Sequence, residues 1–231
     1  MSEIKVFGCD ISHWQGTHIP FDTLKNDGVS FIIHKATDGK SGIDVNYAVN
    51  IQKIKDAGMT AGAYHFYEPG ISGDTQANHF MDIVGDEDCK NIILALDFEK
   101  YALNTKPDII NAELFIDTVL EKYPEAKLLF YSYHNFTSTA NLDENSSIRK
   151  CKQWIARYSS QLPYINYKEP LFVWQQSQSY KFEGGGQDFD YDIVMANNDE
   201  WNQFINPPKI ADSGNDIHTP ENPEPKEGTI S

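Results

Sequence analysis

Apolar and polar positions follow two rhythms along the chain, short apolar runs of strand length and longer stretches at helical spacing, and the two take turns from the N-terminus onward. The densest run is Ile92, Ile93, Leu94, Ala95 and Leu96. Consecutive apolar residues with branched side chains describe a strand covered on both faces, as a parallel sheet flanked by helices produces. Similar runs predict strands at 6–12, 29–37, 60–66, 128–133, 153–158 and 171–176, and one beginning near Tyr191. Helices are predicted at 21–26, at 47–57 with Gly58 as the stop, and at 74–84. The clearest is 107–123, with Pro107 in its first turn and Ile110, Leu114, Ile116, Val119 and Leu120 as its apolar face. Residues 134–150 read as irregular, with at most a short helix at their end.

Eight strands with about five helices, most of them in the first half, predict an α/β fold. Right-handed crossovers then close an irregular, parallel, TIM-like (β/α) barrel whose second half is short of helices. One domain is expected over 1–205. Residues 206–231 turn to Pro, Glu, Asn, Asp and Gly and read as a disordered linker or tail.

Such a barrel gathers its functional side chains at the C-terminal ends of its strands. There the sequence puts Asp10, Lys35, Tyr64, His65, Asp97, Glu99, Tyr131, Tyr133, Tyr158, Trp174 and Gln175. Side chains alternate along a strand, so Asp97 and Glu99 project from one face. Like charges that close disfavour joint ionisation, and one carboxyl is expected to hold a proton while the other stays anionic. Glycoside hydrolysis needs that division: a proton for the leaving oxygen, and negative charge for the oxocarbenium ion that develops. Glu99, backed by the apolar strand, is the expected general acid. Asp97 is the expected anion, orienting an N-acetyl group or stabilising positive charge. Stereochemistry depends on the carboxyl separation and stays open. The aromatic residues supply platforms for the apolar faces of sugar rings, with Tyr131 and Tyr133 on one strand face. His65 reads equally well as a hydrogen-bonded structural residue.

Composition narrows the classes. The net charge of −15 is spread along the 231 residues without a Lys or Arg cluster, which argues against nucleic acid and anionic membrane surfaces as partners. No stretch is long enough to span a bilayer, and the first residues lack the apolar core of a signal peptide. Cys9, Cys89 and Cys151 are too few and too unevenly spaced for a disulfide framework or a metal site, and the histidines show no metal-binding spacing. No cofactor is expected.

Taken in order and spacing, Asp10-Ile11-Ser12, FIIHKATDG at 31–39, AYHF at 63–66, LDFE at 96–99, WIARY at 154–158, Trp174-Gln175 and FDYDIV at 189–194 resemble the glycoside hydrolase family 25 lysozymes. The resemblance implies an irregular eight-stranded barrel. It also implies cleavage of the β-1,4 bond between N-acetylmuramic acid and N-acetylglucosamine in peptidoglycan glycan strands. By the same resemblance, Glu99 matches the family's proton donor, Asp97 its assisting carboxylate, Asp10 its first-strand acid and Asp190 its last-strand acid. Lys35, Tyr133 and Tyr158 fall where the family contacts glycan. Two positions depart from the pattern: Asp38 stands where Glu is commoner, and Asp192 where Asn usually follows the last-strand acid. Either Asp190 or Asp192 could be the functional acid, and the placing of Ile193 and Val194 favours Asp190. The alternatives are a chitinase-like family 18 barrel and a barrel that binds glycan without cutting it. The chitinase-like motif needs acids where Ala95 and Ile92 stand. The expected setting is a phage endolysin made in the host cytoplasm and released onto the wall, or an extracellular enzyme if a leader precedes Met1. A wall-binding module beyond Ser231 would fit the tail.

Overall fold

The structure is a computed structural model that describes residues 5–99 and 106–207. Among them the elements run β1 (Phe7–Ile11), α1 (Phe21–Asn26), β2 (Phe31–Asp38), β3 (Gly42–Ile43), α2 (Tyr47–Asp56), β4 (Thr60–Phe66), α3 (Gly73–Val84), α4 (Asp86–Asn91) and β5 (Ile93–Asp97). They continue with α5 (Lys106–Lys122), β6 (Lys127–Tyr133), α6 (His134–Thr139), β7 (Lys152–Ala156), β8 (Leu171–Tyr180), β9 (Phe189–Val194) and α7 (Asn198–Ile205), with 3-10 turns at His13–Gln15 and Ser147–Lys150. The expected tail lies, apart from its first two residues, outside the described residues.

Strands β1, β2, β4, β5, β6, β7, β8 and β9 hydrogen-bond in that order, and β9 returns to β1 to close the barrel. The short β3 is a flap on the end of β2. One expectation is corrected: the barrel is mixed rather than parallel, because β9 runs antiparallel to both neighbours. The segment joining β8 to β9 is too short for a crossover, which takes a dozen residues or more, so it can only fold back as a hairpin.

Strand alternation divides the apolar residues between two cores. Phe31, Ile33, Ile93, Ala95, Leu129, Trp154 and Val173 point into the barrel. Ile32, Leu94, Leu96, Phe98 and Phe130 point outward under the helices, against Phe80, Phe115, Ile116 and Val119. The buried stripe of α5 is therefore Ala112, Phe115, Ile116 and Val119, at the 3-4 spacing of one helix face. Ile110 and Leu114, expected on that face, are exposed. The start of α3 comes so close to α5 that a Cβ on Gly73 would sit 1.9 Å from the Asn111 carbonyl oxygen, and only glycine fits there. Helices α4, α6 and α7 were not expected. Helix α7 plugs the N-terminal end of the barrel, with Trp201 against Phe31 at 5.0 Å and Phe172 at 6.0 Å between ring centres. The plug and the inward apolar residues fill the lower barrel, so the space left inside the ring of strands is at the upper mouth.

Candidate active site

At that mouth lies a cavity of about 250 Å³ whose floor is carboxylic. Strand β5 supplies Asp97, and Glu99 follows two residues later on the same inward face, beyond Ile93 and Ala95. Phe98, between them, turns outward and is buried among Tyr67, Phe130 and Phe136, which pins the strand's exit. Asp10 comes from β1 and Asp190 from β9, and both reach the same cavity. The four acids thus converge from three strands that are far apart in sequence.

Aromatic and amide side chains complete the wall. Tyr131 and Tyr133 project from β6, Tyr158 follows β7, and Gln175 stands on β8. The hydroxyls of Tyr131 and Tyr158 each donate to Gln175 Oε1 at 2.9 Å, and Gln175 Nε2 donates to Asp10 Oδ2 at 2.7 Å. Gln175 therefore relays two phenols to one carboxylate rather than facing solvent.

Burial is the main influence on every acid here. It pushes Asp97 well above the ordinary carboxylate range, with repulsion from Glu99 adding to the rise and Lys35 opposing it. Burial also raises Glu99, against the pull of the neighbouring Tyr133 and Tyr131 hydroxyls and of the Lys35 charge. Asp190 is raised to about 6, by burial first and by Glu99 second. Asp10 rises through burial and the charges of Asp190 and Asp192, with the Gln175 hydrogen bond opposing. Sequence reasoning put the anion of the β5 pair on Asp97 and the proton on Glu99. The geometry favours the opposite resting state, because Asp97 is almost fully buried and its Oδ1 has no hydrogen-bond partner, whereas Glu99 is only half-buried and has the Tyr133 hydroxyl to accept from.

Three expected site residues do not line the cavity. Lys35 sits beyond the wall, its Nζ 2.8 Å from Asp38 and 5.0 Å from the Phe66 ring centre, and acts on Asp97 and Glu99 through its charge. His65 faces the helices, not the mouth. On β4 it shares the outward side with Ala61 and Ala63 while Tyr64 takes the inward one. Its Nδ1 accepts from Thr37 Oγ1 at 2.7 Å and its Nε2 donates to Gln76 Oε1 at 3.0 Å, between the rings of Phe80 and Phe115. Burial lowers its pKa to about 4, so the ring is a neutral structural group. Trp174 is likewise turned away by alternation, since Gln175 next to it points inward, and its indole donates to the Arg157 carbonyl at 3.0 Å.

Sequence reasoning missed Trp14, Gln15, Trp154 and Gln178, all of which line the cavity. Trp154 was within reach of the strand rule, since it alternates with Ile155 on β7. Trp14 lies in the loop after β1, on the side where barrel sites gather. It is 82% exposed. Its turn is fixed by a capping box between Ser12 and Gln15, and by Asp44, which accepts from the His13 backbone at 2.8 Å and contacts the His13 ring at 3.1 Å.

The pattern characteristic of glycosyl hydrolases family 25 matches residues 9–185, most of the barrel. The chain belongs to that family. Among family 25 relatives, it is 28% identical over 199 residues to lysozyme M1 of Streptomyces globisporus, covering 80% of this chain and 66% of the relative. It is 30% identical over 187 residues to the autolytic lysozyme of Clostridium acetobutylicum, covering 79% and 54%. The chain therefore spans less than two thirds of the length of either curated relative. Among solved structures, the bacterial lysozyme of Streptomyces coelicolor superposes with a TM-score of 0.74 at 25% identity, covering 87% of this chain and 97% of that one. A family 25 glycosyl hydrolase from Bacillus anthracis superposes with a TM-score of 0.73 at 23% identity, covering 87% and 94%, a likeness of fold.

Proposed function

We propose that this family 25 barrel is a lysozyme that cleaves the β-1,4 bond between N-acetylmuramic acid and N-acetylglucosamine in peptidoglycan, with Glu99 as the general acid. The observation that carries the reading is the shared inward face of Asp97 and Glu99, which brings a buried and a half-buried carboxyl to one cavity beside Asp10 and Asp190. The lysozymes among its relatives support the same substrate class.

In the resting site the β5 pair holds a proton that Asp97 keeps. A bound sugar changes that balance in two ways. Its N-acetyl N–H can donate to the Asp97 carboxyl where it lines the cavity, which favours the Asp97 anion. The sugar rings also displace water from Glu99, which favours its protonated form. The proton then sits on Glu99, beside the glycosidic oxygen that needs it, and Asp97 becomes the negative charge facing the cationic transition state. Trp14, Tyr133 and Tyr158, exposed at the mouth, offer ring faces to neighbouring sugars.

The test compares wild type with Glu99→Gln on a suspension of Gram-positive walls. Wild type is expected to clear it, and the variant to clear it roughly 10²–10⁴-fold more slowly, the usual contribution of a general acid. Equal clearing by both removes Glu99 from that role. Binding to the wall without clearing by wild type would point to a barrel that holds glycan only.

A further inference from the structure

The carboxyl that the mechanism leaves unused is Asp192. It is fully buried inside the barrel, two residues beyond Asp190 on β9, and does not line the cavity. Its register places it opposite Gly8 on β1 and Gln175 on β8. Trp154 Nε1 donates to Asp192 Oδ1 at 2.8 Å. The other oxygen, Oδ2, is equally buried and no donor reaches it. Its hydrogen-bonding neighbour is the Asp10 carboxyl, itself 8% exposed and held on the other side by Gln175.

Two carboxylates cannot hydrogen-bond to each other, because neither has a hydrogen to give. Nor can a fully buried anion persist with an unmet oxygen and no cation beside it. The titratable groups that act on Asp192 are Asp10 and Cys9 from β1 and Asp190 from its own strand, while Trp154 from β7 and Gln175 from β8 do not titrate. Among the described residues, no Lys, Arg or His forms an ion pair with either Asp10 or Asp192. A single proton between the two carboxyls resolves every one of these conflicts, and the geometry puts it on Asp192 Oδ2, since Asp192 is sealed from the cavity while Asp10 lines it and already accepts from Gln175. We propose that Asp192 is a positioning residue that carries a proton and donates it in a hydrogen bond to Asp10, fixing Asp10 as an oriented carboxylate in the cleft. Burial pushes Asp192 well above the usual carboxylate range, with the hydrogen bonds to Trp154 and Asp10 opposing the rise.

Asparagine has the same shape and can accept from Trp154 with its oxygen while donating to Asp10 with its nitrogen. It makes both bonds and never titrates. Leucine has similar volume and makes neither. On the lysozyme reading, Asp192→Leu is expected to lower wall-clearing activity by about tenfold or more through loss of a hydrogen bond to a charged group, and Asp192→Asn to restore most of it. Two further measurements do not depend on that reading. The infrared difference spectrum of wild type against Asp192→Asn is expected to show a protonated-carboxyl band in wild type only. The melting temperature of wild type is expected to fall relative to Asp192→Asn as pH rises above the ordinary carboxylate range, since the unfolded chain then ionises Asp192 while the folded barrel keeps its proton. Absence of the band, with parallel melting curves at all pH values, would overturn the proposal whatever the activity on walls. A band present with Asp192→Asn as inactive as Asp192→Leu would overturn the positioning role. Wild type inactive on walls but showing the band would sink the lysozyme reading and leave the shared proton standing.

Discussion

Gln175 accepts two phenol hydrogens and gives one amide hydrogen to Asp10, so each end of its side chain has a fixed duty. Sequence reasoning placed it among sugar-binding groups because it ends a strand at the rim, but the neighbours that occupy it come from strands it could not see. Its chemistry predicts an informative substitution. Gln175→Glu keeps the size yet turns the donor facing Asp10 into an acceptor, setting two like charges against each other in a buried place. Activity at neutral pH is expected to drop by about tenfold or more and to recover partly on acidification, as the new carboxyl takes up a proton and can donate again. A pH–rate profile unchanged from wild type would refute the relay. His65 and Trp174 teach a complementary lesson. His65 lies near the end of β4 and Trp174 within β8, and both are one residue out of phase with a side chain that does line the cavity. Alternation alone assigns the pair to opposite faces but cannot say which face is inward until a neighbour such as Tyr64 or Gln175 is placed.

Among elements, α7 has the least sequence signal for its importance. Asn198–Ile205 is short and mostly polar, yet it opens with a capping box, Asn197 accepting from Glu200 N at 2.9 Å and Glu200 reaching back to the Asn197 N–H. It then lays Trp201 and Phe204 against the open end of the barrel. Trp201→Ala is expected to cost about 3–5 kcal/mol, measured by denaturant unfolding, because it leaves a cavity between Phe31 and Phe172 that the rigid barrel cannot close. The β8–β9 hairpin is the other late element that departs from the regular alternation. Its reversed last strand is what allows Asp190 and Asp192, two apart, to point toward the ring's interior beside Asp10. A crossover helix in its place would have delivered a parallel β9 with a different rim.

At the scale of the whole molecule, the barrel gathers Asp10, Asp97, Glu99, Asp190 and Asp192 and raises all of them above the ordinary carboxylate range, burial leading in each case. A carboxyl raised by folding binds its proton more tightly in the native state, so its stabilising effect is complete at low pH and is lost as pH rises through the folded value. For Asp190 that loss begins at the ordinary carboxylate value and is complete by about 6; for Asp10, Asp97 and Asp192, raised well above the same starting value, it begins there too. Buried His34 and His65 act in the other direction, since each is lowered from 6.5 by burial and costs stability as pH falls below that value. The two effects oppose each other below 6.5 and only the carboxyls remain above it. Thermal stability is therefore expected to peak in mildly acidic buffer and to fall by about 4 °C or more between pH 6.5 and 8, as followed by calorimetry. A melting temperature flat across that interval would mean the buried acids are already ionised.

The amino-acid order alone located strands β1, β2, β4, β5, β6 and β7 and the first half of β8, the helices at Phe21–Asn26 and Gly73–Val84, and the placing of Asp97 and Glu99 on one face. All of these depend on neighbours within a few residues, through side-chain alternation, helical spacing and capping. Three things rested on contacts between distant segments: the direction of the last strand, the plug beneath the barrel, and which carboxyl of each close pair keeps a proton. Those were decided by burial and by partners such as Trp154, Gln175 and the Tyr131 hydroxyl. None of these is near the acids in sequence, and each becomes a neighbour only when the ring of strands closes.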